Sequence, residues 1–76
     1  MKNWKVTFAD ALAVYEKTTQ ARSAQEAAVK VLEKSGLFNF EPVTVFGGRG
    51  SREMTIYFVN RFEPRCTVST IIERCK

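Results

Sequence analysis

The side chains that usually perform catalysis or bind metals are sparse and scattered in this sequence. It contains no histidine, which removes the commonest general base and the commonest metal ligand. Its eight acidic residues are spread almost evenly along the chain and show no metal-binding spacing. We therefore expect no enzymatic activity, no metal and no cofactor, and we predict a protein that binds another macromolecule without catalysis.

Two cysteines, Cys66 and Cys75, are the only residues with nucleophilic sulfur. A small protein held together by disulfides usually carries four or more cysteines. Two thiols without a histidine also do not form a zinc site. We expect both thiols to be reduced, with Cys66 serving as a small buried hydrophobic residue.

A glycine-rich segment at residues 47–52 is the most suggestive motif for ligand contact. Its glycines allow close backbone approach to a phosphate, and Arg49 and Arg52 supply positive charge. The segment lacks the lysine and the spacing of a P-loop. It is either a binding loop or an ordinary hairpin loop whose arginines are solvated.

Two more arginines, at positions 61 and 65, follow this loop and are set among the aromatic residues Tyr57, Phe58 and Phe62. Arginine beside exposed aromatic rings suits RNA stacking and also suits protein hot spots. The alternative is that the arginines form a solvated rim around core aromatics. At about 3.3 Å per strand residue, the first two arginines should lie some 25–30 Å from the last two, in a separate patch. The predicted binding residues are Arg49, Arg52, Tyr57, Arg61 and Arg65.

The N-terminal part of the chain predicts a β-hairpin. Residues 3–8 alternate between apolar and polar side chains, as a half-buried strand does. Residues 12–22 form a second extended segment, but its apolar residues change parity. We predict a β-bulge near Val14, because one extra residue switches the face.

The segment that follows predicts an amphipathic helix. Ser23 and Glu26 form a capping box, and apolar residues recur at helical spacing after them. Val31 and Leu32 should be buried against a sheet. Gly36 fits the left-handed position that commonly ends a helix.

The C-terminal half predicts further strands, at residues 43–46 and at about 53–62. Both faces of the second are partly apolar, which indicates a central strand or a face kept for a partner. Residues 66–75 fit either a strand or a short helix, and their β-branched side chains favour a strand. The predicted fold class is α+β: a small, mostly antiparallel sheet in the order ββαββ plus a final strand or short helix, with one helix packed on one face.

Composition and charge limit the class of protein. The 76 residues allow one domain, spanning 1–76, and 45% of them are hydrophobic. No apolar run is long enough to cross a membrane, and no signal peptide is recognisable, so we expect a cytoplasmic protein, which includes the cytoplasm of a host cell if the gene is viral. The net charge of +4 favours an acidic partner, although a small domain also needs net charge for solubility.

An extended segment, then Ala-Arg-Ser-Ala-Gln-Glu-Ala-Ala at Ala21–Ala28, then a hairpin, resembles many small phage-encoded and mobile-element proteins, among them several anti-CRISPR proteins. That resemblance implies a compact sheet-plus-helix domain that inhibits a host machine, and it carries over no functional residues. Our first hypothesis is a binding protein that sterically inhibits a protein or ribonucleoprotein complex that processes nucleic acid. The alternatives are direct binding of RNA or DNA through the arginine-rich hairpin, and a structural subunit that assembles as a homo-oligomer; as for oligomeric state, both a monomer and a homodimer remain open.

Overall fold

The computed structural model describes residues 1–9, 13–47 and 53–75. Within these ranges the chain forms five strands and one helix: β1 Lys2–Ala9, β2 Val14–Ala21, α1 Ala24–Lys34, β3 Phe40–Gly47, β4 Glu53–Asn60 and β5 Thr67–Cys75.

The five strands form one antiparallel sheet with the spatial order β2-β1-β5-β4-β3. The two hairpins, β1–β2 and β3–β4, therefore occupy opposite ends of the sheet. The last strand lies between them, with Cys75 opposite Asn3 of β1 and Thr67 opposite Val59 of β4. Consequently the two halves of the sheet are joined only when the C-terminal strand is in place.

The helix has the ends that its sequence predicts. The Ser23 side chain accepts a hydrogen bond from the Glu26 N–H at 3.2 Å, and the Glu26 carboxylate accepts one from the Arg22 N–H. At the other end the Leu37 N–H donates to the Leu32 carbonyl, and Gly36 has φ +83°. This is the Schellman arrangement, which satisfies carbonyls that the last turn leaves unpaired.

The hydrophobic core lies between α1 and one face of the sheet. Val31 and Leu32 are buried there, as predicted. The helix also turns three alanines toward the sheet, and their small side chains allow the helix backbone to lie close to the strands. The buried residues are Val6, Phe8, Ala21, Ala24, Ala27, Ala28, Val31, Leu32, Ile56, Phe58, Val68 and Ile72, together with one polar residue, Thr70.

The predicted α+β fold class is wrong, because the structure is dominated by its sheet. Strands account for 61% of the described residues and helix for only 16%. The final element is a full fifth strand, last in the chain, and it occupies the centre of the sheet between β1 and β4. The single helix is eleven residues long and packs against β1, β2 and β5, so it covers only part of one face.

The predicted bulge near Val14 is also wrong. The β1–β2 register is continuous from Ala9 opposite Val14 to Lys2 opposite Ala21. No switch of face is needed, because Val14 is exposed on the side away from the core. The structure instead has an irregularity in β3, between Pro42 and Thr44.

The predicted burial of Cys66 is wrong as well. The residue precedes β5 and is exposed, while Cys75 at the end of β5 is half-buried. The Cys66 carbonyl and N–H are used to close the turn between β4 and β5, which keeps its side chain at the surface.

Candidate functional site

The face of the sheet opposite α1 is open. Because side chains alternate along a strand, residues paired across this face form rows that run from one edge of the sheet to the other. Two neighbouring rows are uncharged from β1 to β3, and we call them the central patch. Its residues are Thr7, Ile71, Thr55 and Phe46 in one row, and Ala9, Ser69, Tyr57 and Thr44 in the next. No described strand residue on this open face is buried, because α1 packs on the opposite face.

Two aromatic rings give the central patch a fixed shape. The rings of Phe46 and Tyr57 meet edge to face, with centroids 5.9 Å apart and planes at 90°. Phe46 is 57% exposed and Tyr57 is 44% exposed. Ile71 is also exposed, one strand further toward the middle of the sheet. Large rings held by each other lose little side-chain freedom when a partner covers them, which is the property of a binding hot spot.

Charged side chains surround the central patch, and most of them are acidic. Lys5 is the only cation among the described strand residues of this face, and its Nζ lies 3.5 Å from Glu73 Oε1. Beyond the end of β4, Arg61 Nε lies 3.8 Å from Glu41 Oε2. The acidic residues of the open face are Glu16, Glu41, Glu53 and Glu73.

Basic side chains are concentrated on the opposite side of the molecule. Lys17 and Arg74 are on the α1 face of the sheet, since they pair with the core-facing residues Val6 and Trp4. The helix carries Lys30 and Lys34 but also Glu26 and Glu33, so it adds no net charge; Lys30 Nζ donates to the Gln20 carbonyl at 3.0 Å and lies 3.6 Å from Glu26 Oε1. The two faces of the sheet therefore differ in the sign of their charge.

The three predicted binding residues that the structure describes, Tyr57, Arg61 and Arg65, lie on different parts of the surface. Tyr57 belongs to the central patch, and Arg61 reaches the border of the open face through Glu41. Arg65 is exposed in the turn after β4. Arg49 and Arg52 lie outside the described residues, so the prediction of a binding loop at 47–52 stays a prediction.

The turn between β4 and β5 is held by hydrogen bonds. The Asn60 side-chain oxygen accepts from the N–H groups of Phe62 and of the residue after it, both at 2.9 Å. The Asn60 N–H donates to the Cys66 carbonyl, and the Arg61 N–H donates to the Asn39 carbonyl at 2.8 Å. This anchored turn leaves Phe62 exposed at the surface. The alternative prediction, that the aromatic residues of this region belong to the core, is therefore wrong for Phe62, whereas Phe58 is buried.

Phe46 and Ile71 are the candidate binding residues that the sequence did not single out. Each was a member of a predicted apolar segment, and the side it faces depends on which strands are neighbours. The alternation of side chains along β4 was the available signal, because it placed Tyr57 on the face of the sheet away from the core-facing residues Ile56 and Phe58. Cross-strand pairing to β3 and β5 then adds Phe46 and Ile71 to the same face.

The clefts of the described surface are shallow. One of them has a volume of about 280 Å³ and is lined by Phe8, Tyr15, Lys17, Ser35 and Leu37. Among the described residues no group of three potential metal ligands converges.

The helix that the structure describes is far shorter than the roughly 20 residues needed to cross a bilayer. Comparison with protein-family models, with curated proteins and with solved structures finds no match to this chain.

Proposed function

We propose that this chain is a non-enzymatic binding domain that docks on a protein partner through the open face of its sheet. The observation that supports this most strongly is the open face itself, on which none of the described strand residues is buried. At its uncharged centre two exposed aromatic rings contact each other edge to face. Exposed apolar surface of this kind, bordered by charge, is typical of protein interaction sites.

The size of the open face suits a stable interface. Five strands spaced about 4.8 Å apart and eight residues long at about 3.3 Å each give a flat footprint of about 500–600 Å². Side chains that project from this footprint increase the contact area, so that it approaches the value of a standard complex, about 800 Å² per partner. Binding would then cover an area comparable with the whole face, which is enough to obstruct a functional site on the partner by bulk alone.

Charge favours a protein over a nucleic acid on this surface. The open face has four glutamates and one lysine on its strands, which would repel a phosphate backbone. A partner with an apolar centre and basic groups around it would be complementary. The steric inhibition of a nucleic-acid-processing complex, as in phage-encoded inhibitors, is the specific version of this proposal, since such complexes present basic surfaces.

The chain offers a closely matched pair of variants for the test. Tyr57 on the open face is 44% exposed and Tyr15 on the α1 face is 46% exposed, and each ring contacts one other aromatic ring. Proteins retained on immobilised wild type from the native cell, or from its host, would be identified, and their affinity for each purified variant measured. We expect Tyr57→Ala to weaken binding tenfold or more, about 1.4 kcal/mol, and Tyr15→Ala to leave it within twofold.

Two outcomes would contradict the proposal. Equal affinities for the two variants would mean that the open face is not the docking surface. Retention of RNA or DNA, with affinity falling steeply and linearly in log salt, would favour the nucleic-acid alternative. In that case Arg61→Ala combined with Arg65→Ala should abolish binding while Tyr57→Ala should not.

A further inference from the structure

The two edge strands of the sheet, β3 and β2, differ in how well charged side chains protect their unpaired backbone groups. In the described structure β3 pairs only with β4, so its other side presents unpaired N–H and C=O groups. Natural proteins commonly protect such an edge with charged side chains. The edge strand β2 has this protection, because Glu16 and Lys17 lie in the middle of a polar run.

The first half of β3 has protection of this kind, from Glu41, Pro42 and the irregularity between Pro42 and Thr44, but the second half lacks it. From Thr44 to Gly47 the strand pairs regularly with β4 and carries no charge. Val45 is on the α1 face of the sheet but is still 48% exposed, because α1 packs mainly against β1, β2 and β5, and Phe40, at the other end of β3, is the residue of this strand that packs against the core. Phe46 is exposed on the other face. A regular, uncharged edge with apolar side chains on both faces is a template for pairing with another strand.

We infer that β3 pairs antiparallel with β3 of a second copy of this chain, which joins two sheets into one of ten strands. A twofold axis perpendicular to the sheet relates the copies, keeps both helices on the same side and requires residues of the same face to oppose each other. Centring the axis at Val45 satisfies this condition and keeps the regular part of the new ladder within Thr44–Phe46 of each copy, next to the irregularity between Pro42 and Thr44. Val45 then opposes the same residue of the second copy, and Thr44 opposes the second copy's Phe46.

Charge supports a second copy as the occupant. Glu41, the only charged residue of β3, lies four positions from Val45, so the two copies of Glu41 stand about 25 Å apart at 3.3 Å per residue. That distance is more than twice the screening length of about 8–10 Å near physiological salt, so their repulsion is small. The uncharged residues Thr44 to Gly47 also give no charge pattern for selecting a charged foreign segment, whereas self-pairing sets them against equally uncharged residues.

The inferred contact is a weak one. Each copy contributes one short ladder and three exposed apolar side chains, those of Val43, Val45 and Phe46. The area that these groups bury is well below that of a standard complex, about 800 Å² per partner. We therefore expect a dissociation constant in the micromolar range or weaker. Pairing at the edge goes beyond the proposed function, because it uses backbone groups of β3 rather than the open face.

Sedimentation equilibrium of the pure protein tests the inference. The mean mass of wild type should rise from 8.7 kDa toward twice that value as concentration increases from about 5 µM to about 500 µM. Val45→Lys sets two lysines against each other at the axis and should weaken dimerisation at least tenfold. Val14→Lys, which changes the same residue type on the opposite edge, should dimerise like wild type.

Amide hydrogen exchange of wild type provides a measurement that needs no variant. We expect β3 amides to become more protected as concentration rises, while those of β2 do not change. A mass of 8.7 kDa throughout the range, with no change in β3 protection, would overturn the inference. A monomeric mass with β3 protected only after addition of a captured partner would overturn it in favour of strand addition by that partner. Equal dimerisation of the two lysine variants would overturn the assignment to β3.

Discussion

Replacement of Leu32 by alanine tests whether α1 holds the sheet in the way the structure indicates. Leu32 is 2% exposed and lies in the core between the helix and the strands. The substitution removes three buried carbon atoms, and a loss of about 0.8 kcal/mol for each gives about 2.4 kcal/mol of transfer free energy. The cavity left behind adds to this, so the free energy of unfolding should fall by about 2–5 kcal/mol.

This loss is large relative to the stability of so small a domain. At 0.05–0.15 kcal/mol per residue, the 76 residues are expected to have about 4–11 kcal/mol in total. The buried helix residues Ala27 and Ala28 have side chains too short to fill the cavity. A variant of a protein at the low end of this range would be partly unfolded at room temperature.

Guanidinium denaturation followed by circular dichroism is the appropriate assay. With a slope of about 2 kcal/mol per molar, Leu32→Ala should lower the unfolding midpoint by about 1–2.5 M at an unchanged slope. Glu33→Ala is the control, because Glu33 is the next residue of the helix and is exposed; its midpoint should move by no more than about 0.3 M. A Leu32→Ala midpoint that moves no further than the control would refute the placement of α1 on the sheet.

Two further predictions concern backbone strain and thiols. Gly47 and Gly36 both have positive φ, but a Cβ at Gly47 would lie 2.7 Å from the Glu53 carbonyl oxygen, whereas a Cβ at Gly36 would have no atom within 4 Å. Gly36→Ala should therefore lower the free energy of unfolding only by the strain of a left-handed alanine, about 1–2 kcal/mol. Gly47→Ala should lower the denaturation midpoint further, because it adds a steric clash. Equal midpoints for the two variants would show that the end of the hairpin relaxes to remove the clash. A thiol reagent should find two free cysteines, with the exposed Cys66 reacting faster than the half-buried Cys75 in the folded protein and at the same rate in denaturant; a count of zero in unreduced protein would contradict the structure.

The helix could be predicted from the sequence with its ends because its signals are local. The Ser23 cap, the apolar stripe and the Gly36 terminus all act within a few residues of one another, and each is present in the structure. The alternation of β4 was equally informative. A strand with apolar residues on both faces was predicted either to be central or to keep one face for a partner, and β4 lies between β5 and β3.

The arrangement of strands was not predictable from these local signals, because it depends on pairing between distant residues. Residues 66–75 have a β-branched composition that fits a strand or a short helix, and pairing with β1 and β4 on both sides decides the matter. Once that strand occupies the centre, the sheet becomes the dominant layer, and the predicted α+β class fails. The predicted bulge near Val14 fails for a related reason, because an edge strand can leave an apolar residue exposed without switching its face.

The sequence by itself determined the residue types that any site in this protein must use: no histidine, scattered carboxylates, and aromatic residues among arginines. Tertiary structure decided where those residues lie. Strand pairing sets Phe46 against Tyr57, brings four glutamates onto the open face, and leaves lysines on the side that carries α1. Net charge and composition are sums over the chain, whereas the charge and shape of a surface depend on which strands are neighbours. For this reason the net positive charge of the sequence favoured an acidic partner, while the open face is itself acidic around an uncharged centre.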